Sequence, residues 1–289
     1  MRVGITILPE FRWPEAAPKW RAAEQLGFDH AWTYDHLVWA GLPDAPWFGT
    51  TPTLTAAAMV TSTIRLGTFV TSPNFRHPVA FARDVLALDD ISGGRFICGM
   101  GRGGDLDSGL LGESLTVGER TGRFAEFARL LDQVLTQDHL TYDGTFFSAH
   151  DTRNLPGCVQ QPRVPFIVAA NAPKGMQLAA ELGQGWVTYG KPTDNEEDWW
   201  AGLRASSDRM TEVLESAGRD VATFERHLNA DGARGSVYES VDRFEDAIGR
   251  AQESGFTDLI THWPRSDKPY AATVEVLETV AAQVLPRIS

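Results

Sequence analysis

Eight short apolar runs, each followed by a longer amphipathic stretch, predict an α/β fold, a (β/α)8 TIM barrel of parallel strands under a coat of helices. The strands read as continuous apolar runs, the pattern of a parallel sheet buried on both faces. Eight such units in 289 residues fit one closed barrel. No Gly-x-Gly-x-x-Gly follows the first strand, which weighs against an open dinucleotide-binding sheet. Without a linker or low-complexity segment, residues 1–289 read as a single domain.

The elements follow in order. Val3 to Leu8 reads as a strand, and Pro14 to Leu26 as a helix closed by Gly27. His30 to Tyr34 is the second strand and Thr53 to Ser62 the second helix. Ile64 to Val70 is the third strand, with a helix from Val79 to Ile91 ending at Gly93-Gly94. Arg95 to Met100 is the fourth strand and Gly118 to Thr136 the fourth helix. Leu140 to Ala149, with Asp143-Gly144 at its middle, reads as a β-hairpin inserted after that helix. Phe166 to Ala170 and Lys174 to Leu182 form the fifth unit, and Trp186 to Tyr189 with Glu196 to Ala217 the sixth. Phe224 to Ala230 with Ser240 to Ser254 is the seventh, and Leu259 to His262 with Tyr270 to Leu285 the eighth.

Acidic residues number 38 against 26 basic ones, a net charge of −12, where a nucleic-acid binder would show a basic face. Cys98 and Cys158 are far apart and lack metal-ligand spacing, so neither a disulfide framework nor a zinc site is expected, and a cytoplasmic location is. Pro9 and Glu10 stop the first apolar run too early for a signal peptide, and no run reaches the roughly 20 apolar residues of a membrane span.

Barrel enzymes carry their chemistry at the C-terminal ends of the strands. This selects Asp35-His36 after the second strand, Gly101-Arg102-Gly103-Gly104 after the fourth, and Asn171-Ala172-Pro173 after the fifth. Histidine exchanges protons near neutral pH, and a neighbouring carboxylate can tune its ring or hold a cofactor amide; two solvated side chains capping the barrel are the plainer alternative. The glycine turn lacks the Lys-Ser/Thr of a phosphate loop and reads equally as a tight turn. Pro173 in the first helical turn, after Asn171, makes a helix N-terminus that could hold an anion or simply be capped. His262 also ends a strand, without a carboxylate beside it. Cys98 lies inside a strand and reads as a small core residue, and Trp199, Trp200 and Trp263 read as pocket or core-edge residues. No Ser/His/Asp triad or metal-spaced cluster is evident, so the site suits a cofactor that carries the reaction itself.

Several segments together resemble the bacterial luciferase-like superfamily: Leu66-Gly67-Thr68-Phe69-Val70-Thr71-Ser72-Pro73, Phe75-Arg76-His77-Pro78, Leu88 to Phe96, Gly99-Met100-Gly101, Ala169 to Pro173 and Leu182 to Trp186. The resemblance runs from Arg2 to about Gly190. It implies coenzyme F420 or FMN at the barrel mouth and a non-prolyl cis peptide at Phe69-Val70 backing the ring. Asp35-His36 is similar to the acid–histidine pair of the deazaflavin-dependent branch, with Asp35 at the ring edge and His36 as proton donor to the substrate. Ser72, Arg102, Gly103 and Asp107 match positions near the cofactor, Asn171, Ala172 and Lys174 its phosphate region, and Thr188 is counted with the cofactor positions. The family's sugar-phosphate dehydrogenases carry a glutamate where Gly104 stands here, and after Lys191 only Lys268 remains, so a sugar phosphate is not the expected substrate.

The expected function is hydride transfer between coenzyme F420 and a small organic substrate. The alternatives are an FMN-dependent monooxygenase using reduced flavin and O2, and a catalytically inactive ligand-binding barrel. A small-molecule substrate and a homodimer are expected, with no nucleic-acid or membrane partner.

Overall fold

The computed structural model describes residues 1–230 and 235–288. The chain runs β1 (Arg2–Thr6), α1 (Trp13–Gln25), β2 (His30–Thr33), α2 (Thr50–Val60), β3 (Arg65–Thr68), α3 (Pro78–Ser92) and β4 (Phe96–Met100). It continues through α4 (Leu106–Leu110), α5 (Val117–Thr136), β5 (Leu140–Asp143) and β6 (Ser148–Thr152). The remainder is β7 (Phe166–Ala169), α6 (Pro173–Leu182), β8 (Gly185–Thr188), α7 (Glu196–Ser216), β9 (Glu225–Asn229), α8 (Val241–Glu253), β10 (Asp258–His262), α9 (Val274–Gln283) and α10 (Leu285–Ile288).

Eight strands hydrogen-bond in the order β1-β10-β9-β8-β7-β4-β3-β2 and close into the expected barrel. β2, β4, β8 and β10 are buried at every position, which is why their sequences show no polar alternation. The helices start where the sequence offers a cap. Thr116 and Glu119 form a reciprocal capping box on α5, and Asn195, Ser240 and Thr273 cap α7, α8 and α9.

Three details differ from the sequence reading. A short α4 precedes the helix expected as the fourth, so the hairpin follows the fifth helix. The hairpin pairs Asp143 with Ser148 and extends to Thr152, beyond the expected Ala149. Glu126 of α5 fastens it by accepting the N–H groups of Thr145, Phe146 and Phe147 at 3.1, 2.9 and 2.8 Å. The last long helix begins at Val274, not Tyr270, because Thr273 Oγ1 accepts the Val276 N–H and Ala271 bridges back to Arg265.

The chain divides into two compact units, one of Met1–Ile7, Lys19–Trp32 and Val168–Ser289, the other of Leu8–Pro18 and Thr33–Ile167. In the first, the N-terminal ends of the strands bury an ionic cluster. Asp258 sits opposite Arg2 on β1 and His227 on β9. Arg2 donates to both Asp258 oxygens at 2.8 Å, and His30 Nε2 lies 3.0 Å from Oδ1. In the second unit β3 and β4 approach so closely that a Cβ on Gly99 would lie 2.0 Å from the Thr68 carbonyl oxygen, so only glycine fits.

Candidate active site

In the second unit, the segments leaving β2, β3 and β4 meet around two buried carboxylates. Asp35 is 1% exposed, and Arg76 holds it with two parallel bonds, Nε to Oδ2 at 2.7 Å and Nη2 to Oδ1 at 2.8 Å. Burial opposes the charge on Arg76, and the Asp35 carboxylate overcomes that opposition, holding the guanidinium above its ordinary pKa. Asp107 is 1% exposed on α4. Its Oδ2 lies 2.7 Å from His36 Nδ1, and its Oδ1 accepts the Leu37 N–H at 2.7 Å. The acid that touches the histidine is therefore Asp107, seventy-one residues away, while the adjacent Asp35 pairs with Arg76.

A carboxylate on Nδ1 fixes the neutral ring as the Nδ1–H tautomer and leaves a lone pair on Nε2. Nε2 has no hydrogen-bond partner among the described residues, and the His36 side chain is 25% exposed. The ring is thus held from behind and open in front, the arrangement a general acid–base needs.

Beside it, the Phe69–Val70 peptide is cis, as the resemblance implies. The following segment carries three buried polar atoms without partners among the described residues: Thr71 Oγ1, Ser72 Oγ and Asn74 Oδ1. Asn74 Nδ2 donates to the Arg102 and Gly104 carbonyls at 3.2 and 2.6 Å, tying this segment to the glycine turn. Gly103 adopts φ +69°, and a Cβ there would lie 2.4 Å from Asn74 Nδ2 and 2.8 Å from Ser72 Oγ. The glycine turn is therefore a tight turn that also packs the backbone against Ser72. Arg102 is exposed, and its guanidinium makes no hydrogen bond or ion pair among the described residues.

In the first unit, the ends of β7 and β8 form their own network. Thr188 Oγ1 donates to Asn171 Oδ1, Asn171 Nδ2 donates to the Gly190 carbonyl at 3.2 Å, and Thr188 Oγ1 accepts the Gly190 N–H at 2.9 Å. Asn171 thus turns toward β8 and does not cap α6. Ala172 is the N-cap, with no side-chain bond, and Pro173 follows at the first turn. The first N–H groups of α6 are left to a ligand or to water, and Lys174 is exposed beside them. His262 lies face to face with Tyr270, ring centroids 3.7 Å apart, and lines a cavity of about 550 Å³.

The buried His30, His227 and Asp258 also lie close enough to surround a metal ion. The chemistry opposes it: Trp32 Nε1 can only donate, and it gives its proton to His30 Nδ1 at 2.5 Å. His30 Nε2 must then carry the hydrogen that bonds Asp258, and it has no lone pair for a metal.

The sequence reading missed Arg76, Asn74 and the pairing of Asp107 with His36. Arg76 lies inside a segment already singled out for its resemblance, but no local spacing connects it with Asp35. Trp199 and Trp200 are buried, 3% and 5% exposed, as core-edge residues. Among the described residues no helix is long and apolar enough to cross a membrane.

Comparison with known proteins agrees with this architecture. An F420-dependent glucose-6-phosphate dehydrogenase of Beutenbergia cavernae is 28% identical over 319 residues, covering 92% of this chain and 90% of that one. A 5,10-methylenetetrahydromethanopterin reductase of Archaeoglobus fulgidus is 30% identical over 276 residues, 88% of this chain and 77% of that one. An F420-dependent secondary alcohol dehydrogenase, solved with an F420-acetone adduct, superposes with a TM-score of 0.83 at 17% identity, covering 100% and 99% of the two chains. The profile of the luciferase-like monooxygenases matches residues 1–231, and the chain belongs to that family.

Proposed function

We propose that this protein is an oxidoreductase that moves a hydride between coenzyme F420 and a small organic substrate, with His36 as the proton-transferring residue. The observation that carries this reading is the His36–Asp107 pair, a ring anchored at 2.7 Å through Nδ1 with Nε2 open. The similarity to F420-dependent dehydrogenases and reductases supports the choice of cofactor.

The residues present fit such a group. Ser72 Oγ, Thr71 Oγ1 and Asn74 Oδ1 are buried polar atoms that lack partners among the described residues, and buried polar atoms need them. Gly103 keeps the space in front of Ser72 that a side chain would fill. Asp35 spends two lone-pair directions on Arg76 and keeps others for a ring-edge N–H. Arg102 and the open N-terminus of α6, with Ala172 and Lys174, are separate candidates for the cofactor's acidic groups. Asn171 and Thr188, two further candidates for that region, also fix the backbone after β8.

Coenzyme F420, when bound, supplies or accepts a hydride without activating oxygen. His36 Nε2 takes the proton from the substrate oxygen in the oxidising direction and returns it in the reducing one. Asp107 keeps Nδ1 protonated and balances the positive ring during the transfer. Arg76 holds the Asp35 carboxylate in place through two parallel bonds.

Titrating the purified protein with F420 and with FMN, followed by cofactor fluorescence, tests the reading. F420 is expected to bind with a dissociation constant on the order of micromolar and to resist displacement by FMN. Binding of FMN alone, with oxygen uptake when it is reduced, would assign the protein to monooxygenation instead. The same reading includes a cytoplasmic homodimer, for which size-exclusion chromatography is the check.

A further inference from the structure

We infer that the reacting end of the substrate is an uncharged carbonyl compound or alcohol with apolar, preferably aromatic, substituents, and that the loop of residues 37–49 selects it. The inference rests on the hydride-transfer reading above.

That loop holds one ionisable residue, Asp44, among thirteen, and it is otherwise built from Leu37, Val38, Trp39, Leu42, Trp47, Phe48 and alanine, glycine and proline residues. It is a constructed surface. Trp47 Nε1 donates to the His36 carbonyl at 3.0 Å. The Trp47 and Trp39 rings stack, with centroids 6.1 Å apart and an interplanar angle of 28°. Trp39 meets the edge of Tyr34 at 5.2 Å, and Tyr34 meets the edge of His36 at 6.3 Å. The His36 ring is one panel of a continuous aromatic wall. Leu37 and Phe48, next in the chain to His36 and Trp47, keep 39% and 41% of their surface in water. Apolar groups left exposed beside a proton-transferring ring are covered favourably by an apolar ligand.

Charge points the same way. Asp107 stands behind the ring, Asp35 is close in the chain, and Asp44 lies in the loop. Arg76 is bound to Asp35 at two points, and Arg102, the exposed cation after β4, is a candidate for the cofactor's acidic groups. An anionic group placed against this wall would meet carboxylates and no available cation on the loop. In the oxidising direction the alcohol C–H bond breaks, its electron pair leaves as hydride to oxidised F420, the O–H proton passes to His36 Nε2, and a C=O bond forms. Ketone reduction is the reverse, with reduced F420 as donor.

The test uses the F420-loaded protein and two ketones of one skeleton, benzylacetone and its para-carboxylate, with affinity read by titration calorimetry and turnover by the recovery of F420 absorbance. Benzylacetone is expected to bind at least about ten-fold more tightly and to be reduced faster. Leu37→Lys, which adds a cation next in the chain to His36, is expected to narrow the preference to about three-fold or reverse it, and Leu37→Met to preserve it. Circular dichroism melts establish that both variants fold. Equal or tighter binding of the carboxylate, binding of neither ketone, or an unmoved preference in Leu37→Lys overturns the inference. The F420 titration of the same sample separates the two levels. F420 binding without benzylacetone binding removes only the substrate class, and benzylacetone binding without F420 binding removes the hydride-transfer reading.

Discussion

Replacing Asp107 by asparagine leaves the side chain almost the same size and turns one of its two acceptors into a donor. Asp107 accepts from two sides, from the Leu37 N–H at 2.7 Å and from His36 Nδ1 at 2.7 Å. The backbone N–H can only donate, so the asparagine oxygen must face Leu37; the opposite orientation would bury two donors against each other at about 1–3 kcal/mol. The asparagine NH2 then faces His36 Nδ1, and the imidazole adapts by moving its proton to Nε2. The lone pair needed for the substrate disappears, and nothing balances a positive ring. Losing a general acid–base costs about 10²–10⁴ in rate, and a wrong tautomer falls in the same range. Turnover of Asp107→Asn should drop by at least about 10², with F420 affinity within a few-fold of the parent. Nitrogen NMR of the ring, which distinguishes the two tautomers, reads the switch without any substrate. An Nδ1-protonated ring in the variant, or turnover within about three-fold of the parent, would refute the reasoning.

Gly103→Ala puts a methyl group 2.4 Å from Asn74 Nδ2 at φ +69°. It should cost about 1–3 kcal/mol, a fall in Tm of roughly 2–5 °C, and weaken F420 binding in a titration. Arg76→Met leaves the 1%-exposed Asp35 without its cation and should cost about 3–5 kcal/mol in denaturant unfolding, whereas Arg76→Met with Asp35→Leu should recover most of it. Asp258 gives a pH dependence. Burial alone would raise its pKa, but His227, His30 and Arg2 reverse this and hold the carboxyl well below the usual range. Its stabilisation is therefore complete above the unfolded-state value near 3.9 and lost as pH falls below it, so acid-induced unfolding should set in at higher pH in Asp258→Asn, with Tm at pH 7 lower by roughly 5–8 °C.

The barrel was legible because its strands are buried along most or all of their length and several helices, α5, α7, α8 and α9 among them, open on a residue whose side chain caps them. Those signals are local, and element boundaries fell within a few residues of them. Gly27 and Gly93, both at positive φ, stopped the helices where the sequence placed the stops. Helix α4 was not legible, because Leu106–Leu110 is a single short turn that includes Gly109 and is too short to repeat an apolar period. That loss mattered, since α4 carries Asp107 to His36. The candidate site residues stood out as positions at strand ends, but their partners did not, because a hydrogen bond across seventy-one residues leaves no trace in spacing. Asp35 illustrates the cost: adjacency in sequence suggested a pair with His36, and in an extended segment leaving a strand successive side chains point to opposite sides.

Two histidine–aspartate contacts of similar length separate a structural histidine from the candidate proton carrier. His30 lies 3.0 Å from Asp258 and His36 lies 2.7 Å from Asp107. His30 has its second nitrogen filled by the Trp32 indole at 2.5 Å and is fully buried. With both nitrogens committed and a donor-only indole fixing the tautomer, that ring can neither give nor take a proton without breaking a buried bond, so its contribution is rigidity. His36 has the same anchor and a second nitrogen that bonds no group among the described residues, on a ring that solvent reaches. A substrate oxygen can occupy that position at no cost to an existing bond. The difference lies in how many of the ring's two nitrogens the fold itself uses, and only His36 leaves one for a ligand.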